Sequence, residues 1–228
     1  MLKPSSYTIV VQSIMNFPPQ QVQFDPHQDT ELCAIMTRHG SDKGNNTWHN
    51  YTKLYHNFFS SFRYNPMNLF ELGLGTNNTN FPSNMGEKGH PGASLRGWAE
   101  YFPNAKIYGA DIDDGVLFQT PRIQTAYVDQ TNPSTIAQLW SIFPQQFDII
   151  IDDGLHEHHA NMCFLRNSFH KLKPKGIYVI EDILQKDLHL FQTSLSEFGK
   201  PFMIYNLPGT PNPHDNVLAF IYNAPVEK

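Results

Sequence analysis

Two apolar runs end in groups that could do chemistry. Phe147-Asp148-Ile149-Ile150-Ile151 runs into Asp152-Asp153-Gly154-Leu155-His156, and Gly176-Ile177-Tyr178-Val179-Ile180 runs into Glu181-Asp182. A continuous apolar run with polar ends predicts a strand covered on both faces of a parallel sheet. The carboxylates at its tip need water, a partner or a metal, because burial of a bare charge is costly. Asp153, Glu181 and Asp182 offer hard oxygen donors, which suit Mg²⁺, Ca²⁺ or Mn²⁺ rather than zinc. An ion among them would relieve their mutual repulsion. His156 follows Asp153 on the same loop, and with an ordinary pKa near ~6.5 it suits proton removal from a hydroxyl held there. The competing reading makes the acids helix caps and His156 a partnerless first-turn residue. His158 and His159 read as solvated first-turn residues, and Asp148, at its strand's entry, as structural.

Glu71-Leu72-Gly73-Leu74-Gly75 is a strand that runs into a glycine turn, where backbone can approach a ligand closely. A dinucleotide fingerprint would need a third glycine, but position 78 is Asn, and no Gly-Lys-Ser/Thr follows for a P-loop. Asp111 closes the next strand, where it suits a ribose diol. Asp129-Gln130 closes the third, where it suits an adenine edge. The set fits a nucleoside without pyrophosphate, such as S-adenosylmethionine. Helix capping competes for Asp111 and Asp129.

The elements that must position these groups alternate. Strands are expected at 67–72, 106–110, 124–128, 147–152, 176–180, 202–205 and 216–222. Helices are expected from Thr30 to Gly40, from Ser94 as N-cap, from Thr131 or Asn132 through Trp140, across Met162, Leu165, Phe169 and Leu172, and over 187–198. Trp48, Tyr51, Tyr55, Phe58 and Phe62 form a stripe at helical spacing, read as core packing. The pattern predicts an α/β class: a Rossmann-like, doubly wound, mostly parallel seven-stranded sheet with an antiparallel last strand, plus an N-terminal helical extension. Ligands of such sheets bind at the strands' carboxyl ends, where the order reverses. Residues 1–64 are expected as arm and helical lid, and 65–228 as the Rossmann-like domain.

Bulk properties narrow the partners. The chain has 228 residues and a net charge of −5, with no basic stripe or tail, so nucleic acid is not an expected partner. No apolar run is long enough to span a bilayer and no leader pattern opens the chain, so a cytoplasmic protein with no membrane partner is expected. Cys33 and Cys163 read as reduced thiols. The Pro- and Gln-rich residues 1–26 and the aromatic helix are compatible with a homo-oligomer.

The combination of Gly40-Ser41-Asp42-Lys43, His49-Asn50-Tyr51-Thr52-Lys53-Leu54-Tyr55, Glu71-Leu72-Gly73-Leu74-Gly75, Gly92-Ala93-Ser94-Leu95-Arg96-Gly97-Trp98, Asp152-Asp153-Gly154-Leu155-His156 and Val179-Ile180-Glu181-Asp182 resembles class I S-adenosylmethionine-dependent methyltransferases. Within them it is similar to the metal-dependent macrolide sugar O-methyltransferases of the mycinamicin and macrocin type. The resemblance implies Mg²⁺, or another hard divalent cation, on Asp153, Glu181 and Asp182, with His156 as general base. It implies an S-adenosyl-L-methionine site drawn from Ser41, Asp42, Lys43, Glu71, Gly73, Gly75, Ser94, Asp111, Asp129 and Asp152, with the 41–43 loop closing over it. The acceptor class it implies is a sugar or glycosylated small molecule. Leu155 departs from the serine usual in that family and makes the acceptor side more apolar. Two rival readings remain: a metal-dependent hydrolase using the same cluster, and a non-catalytic protein of the same fold that binds the cofactor.

Overall fold

The structure, a computed structural model, describes residues 7–8, 23–25, 27–44, 48–207, 212 and 214–224. Tyr7–Thr8 (β1) pairs antiparallel with Gln23–Phe24 (β2); the rest of the expected arm 1–26, apart from Asp25, lies outside the described residues. Helices α1 (Glu31–His39) and α2 (Tyr51–Phe59) precede the main sheet. That sheet comprises β3 (Met67–Leu72), β4 (Ala105–Asp111), β5 (Ile123–Tyr127), β6 (Phe147–Asp152), β7 (Leu172–Ile180), β8 (Phe202–Asn206) and β9 (Val217–Tyr222). Between them lie α3 (Ala93–Tyr101), α4 (Pro133–Ile142), α5 (His158–Ser168) and α6 (Leu188–Phe198).

The strand order is β5-β4-β3-β6-β7-β9-β8. The first five strands run parallel, and β9 is antiparallel to both of its neighbours. The seven-stranded doubly wound sheet therefore matches the expected class. The chain leaves β3 toward β4 on one side and returns as β6 on the other, so the order reverses between β3 and β6. A crevice opens at such a point.

Period-2 alternation divides the core into two layers. Leu69, Ile149, Ile151 and Val179 face α1, α2 and α3 through Leu32, Tyr55 and Trp98. Phe70, Ile150, Tyr178 and Ile180 face α4, α5 and α6 through Leu139, Leu165 and Phe191. Phe70 is completely buried, its ring 4.9–6.5 Å from those of Trp140, Phe143, Phe147 and Phe164. Its neighbours are too large to collapse into a void, so Phe70→Ala should cost about 3–5 kcal/mol. A fall in the urea midpoint at unchanged m-value checks this.

Three helix boundaries differ from the sequence expectation. The N-cap of α3 is Gly92, at φ +71°, rather than Ser94; the Ser94 hydroxyl instead donates to Glu71. Trp48 precedes α2 and is exposed, while Phe62 lies in a 3-10 turn beyond it. α5 stops at Ser168, Phe169 enters a 3-10 turn, and Leu172 already pairs with Phe147 as the start of β7.

Candidate active site

β3 ends at the glycine bend. Gly73 has φ +87°, and a Cβ built there would lie 1.8 Å from the Asp153 carbonyl oxygen. The absence of a side chain lets the tips of β3 and β6 touch. The Gly73 amide donates to the Ala110 carbonyl at 2.8 Å and the Asp153 amide to the Leu72 carbonyl at 3.0 Å, which locks both loops. A cavity of about 460 Å³ opens over the bend, a volume within the range for small-molecule sites.

The cavity wall carries Ser41, Asp42, Lys43, Gly73, Gly75, Ser94, Asp111, Asp129, Asp153, His156 and Asp182. One end of the cavity is built by the β3, β4 and β5 tips. Asp111 accepts from the Leu74 amide at 2.7 Å and the Asp113 amide at 2.9 Å, and burial raises its pKa against those bonds. Asp129 accepts from the Thr131 amide and hydroxyl, the turn that precedes α4.

At the other end His156 and Asp182 hold left-handed backbone, with φ +61° and +54°. Left-handed backbone is uncommon outside glycine, although Asp and His adopt it more readily than most residues, and it recurs at functional sites. The His156 Nε2 lies 3.1 Å from Asp153 Oδ1 and 3.4 Å from Asp182 Oδ2. Burial would lower its pKa, but the Asp182 charge and the Asp153 hydrogen bond override this and raise it to about 10. One donor atom each from Asp153, His156 and Asp182 falls within 4.8 Å of the others. Two hard oxygens and an imidazole at that spacing fit a divalent cation.

Three expected site residues do not line the cavity. Glu71 accepts from Ser94 and, at 2.5 Å, from the Trp98 indole; burial lifts its pKa to about 7. Asp152 faces the opposite side of the sheet, where it accepts from Gln130 at 2.8 Å and Tyr178 at 3.2 Å. Burial likewise raises it to about 7. Glu181 accepts from Tyr55 and from the buried Lys43 ammonium, which also donates to Asp153. Burial opposes the charge on Lys43, and the two carboxylates overcome it. Asp153 is held low by Lys43 and His156 against its own burial. The structure thus joins His156, rather than Glu181, to the two aspartates.

Several residues at the site had no expected role there. Tyr51 donates to Asp182 at 2.5 Å and to the Asp215 carbonyl at 3.0 Å. The buried His49 stacks on Tyr51, with Nε2 3.5 Å from Asp182. Gln130, by contrast, is read in sequence with Asp129 as suiting an adenine edge; in the structure it accepts from the Leu155 amide and donates to Asp152, both at 2.8 Å, and so fixes the loop before His156. Helical spacing placed Tyr51 and Tyr55 on a buried face, but it carries no sign of where a phenol hydroxyl ends. Of the residues read as bystanders, Asp148 accepts from Lys173 and the Asn68 amide. His158 meets Ser194 and Phe191, while His159 is exposed beside Glu157.

No family model matches the chain. It is 34% identical over 154 residues to the 8-demethyl-8-alpha-L-rhamnosyl tetracenomycin-C 2'-O-methyltransferase of Streptomyces olivaceus, covering 67% of this chain and 37% of that protein. The demethylmacrocin O-methyltransferase of Streptomyces fradiae is 35% identical over 163 residues, 67% and 36% of the two chains. The mycinamicin VI 2''-O-methyltransferase of Micromonospora griseorubida is 34% identical over 139 residues, 59% and 32% of the two chains. The chain therefore spans about a third of the length of these relatives. A structure of MycE methyltransferase with Mg, SAH and mycinamycin VI superposes at TM-score 0.62 and 25% identity, over 85% of this chain and 54% of that one. The tip-to-tip cavity and these relatives agree: the chain belongs with the class I S-adenosylmethionine-dependent methyltransferases, alongside the macrocin and mycinamicin O-methyltransferases.

Proposed function

We propose that the chain carries the catalytic domain of an S-adenosylmethionine-dependent O-methyltransferase. Its acceptor is a hydroxyl of a sugar or glycosylated small molecule, and it uses Mg²⁺ or another hard divalent ion. The observation that carries this reading is the single cavity in which the glycine bend, Asp111 and the Asp153–His156–Asp182 cluster share one wall. Asp111 would accept from the ribose diol, and the Gly73–Gly75 backbone would lie against the amino-acid portion of the cofactor. Ser41, Asp42 and Lys43 would close over it, residues 1–64 serving as arm and lid and 65–228 as the catalytic sheet. Asp153 and Asp182 would hold the ion, with Glu181 reaching it only if Lys43 gives way. The bound ion supplies positive charge that acidifies an acceptor hydroxyl and supports the neutral form of His156. His156 Nε2 would then take the hydroxyl proton as the oxygen attacks the sulfonium methyl, and S-adenosylhomocysteine would leave.

Calorimetric titration with S-adenosylhomocysteine, with and without Mg²⁺, tests the reading. Binding is expected in both conditions and should weaken about 10-fold or more in Asp111→Ala, which removes charge-assisted hydrogen bonds. A wild-type chain with no affinity for the nucleoside would defeat the reading and favour the hydrolase. Nucleoside binding without any Mg²⁺ affinity would favour a non-catalytic member of the fold.

A further inference from the structure

Trp48 stands apart from the other two tryptophans. Trp98 and Trp140 are buried and donate to Glu71 and Ser168. Trp48 is 53% exposed, yet it lies on the cavity wall. It immediately precedes His49, whose Nε2 faces Asp182 at 3.5 Å, so its backbone sits at the carboxylate–histidine end rather than the nucleoside end. The same cavity presents Phe81, Pro82 and Leu155. The Ser83 hydroxyl donates to the Leu155 carbonyl at 3.0 Å and ties the Phe81 loop to the loop that carries His156. A large indole left facing solvent in a concave site is unspent binding surface.

We infer that Trp48 is the platform on which the acceptor ring stacks, taking a pyranose by its C–H face. This rests on the methyltransferase reading above. A pyranose gathers its axial C–H bonds on its faces and directs its equatorial hydroxyls outward at the rim. Dispersion and quadrupole attraction hold a C–H face against an indole. A ring seated so would send its edge hydroxyls toward Asp153, His156 and Asp182, while Leu155 and Phe81 cover the apolar substituents. Trp48 then selects the acceptor by shape and apolarity, and the acids select the hydroxyl.

The exposed indole is its own probe, because Trp98 and Trp140 are shielded from a soluble quencher. With S-adenosylhomocysteine and Mg²⁺ saturating, methyl α-L-rhamnopyranoside should cut acrylamide quenching of the protein's fluorescence by about half or more. The effect should vanish in Trp48→Ala. In turnover with the same glycoside, Trp48→Ala should raise acceptor KM about 10-fold with kcat nearly unchanged, and Trp48→Phe should recover most of it where Trp48→Leu does not. Quenching unaltered by the glycoside in a protein that binds the nucleoside overturns the platform, as does a Trp48→Ala variant with unchanged KM. Failure to bind S-adenosylhomocysteine at all would strike the methyltransferase reading instead, so the two failures are distinguishable.

Discussion

His156→Asn is expected to lower kcat about 10³-fold, within the span that general-base catalysis supplies, while S-adenosylhomocysteine affinity stays within about twofold of wild type. Asparagine is the chosen replacement because position 156 sits at φ +61°, which Asn tolerates better than most side chains. The change therefore removes the imidazole and leaves the loop in place. Asp111 and the glycine bend are held by other groups, the amides of Leu74 and Asp113 and the carbonyl of Ala110. Because His156 also lies among the candidate ligands, a Mg²⁺ titration separates its two roles. A loss that persists at saturating Mg²⁺ marks the missing base, and a loss erased by more Mg²⁺ marks a missing ligand. Wild-type turnover in the variant would remove His156 from the chemistry.

Gly73→Ala should be the most damaging glycine-to-alanine change among the described residues. The added Cβ would meet the Asp153 carbonyl oxygen at 1.8 Å, and the atom in the way is backbone rather than a flexible side-chain end. The left-handed φ of +87° adds its own penalty, about 1–2 kcal/mol for a non-glycine residue. Relief requires the 153–156 loop to move, and with it Asp153 and His156. We expect a loss of about 3 kcal/mol or more in stability, and S-adenosylhomocysteine and Mg²⁺ affinities each down by about 100-fold. Gly86→Ala is the control, since Gly86 has φ +68° with nothing within 4 Å of the added carbon. It should show only the conformational penalty and no effect on either ligand. Equal behaviour of the two variants in calorimetry and denaturation would refute the close approach of the β3 and β6 tips.

The strand tips could be read from sequence because a strand buried on both faces leaves an apolar run with conspicuous polar ends. β6 and β7 fall within four residues of where that reasoning put them. The side-chain directions were not read. Asp152 and Asp153 are neighbours in sequence, yet Asp152 turns toward Tyr178 and Gln130 while Asp153 faces Lys43 and the cavity. Alternation along β6 accounts for this: Ile149 and Ile151 share one face, and Ile150 and Asp152 share the other. Glu71 alternates the same way and is consumed by Trp98 and Ser94. The roles of Lys43, His49, Tyr51 and Tyr55 depend on the packing of α2 and the loop before it against the sheet, a tertiary fact with no local signal. Trp48 continued the aromatic stripe by spacing, but α2 begins only at Tyr51, so it falls on the cavity instead of the core.

The place of β9 has a consequence for how the protein is made. This strand slots between β7 and β8; the loop before it supplies the Asp215 carbonyl to Tyr51, and its first residue gives the Val217 carbonyl to the Ile183 amide. While a nascent chain is still on the ribosome short of these residues, β7 has one vacant edge and β8 no neighbour at all. The acids, the histidine, the glycine bend and the Tyr51 and Tyr55 phenols that reach Asp182 and Glu181 have by then been translated, but the Asp215 carbonyl that also receives the Tyr51 hydroxyl has not. The pocket is therefore finished only when β9 threads into the gap between β7 and β8 and its leading loop brings the Asp215 carbonyl to Tyr51.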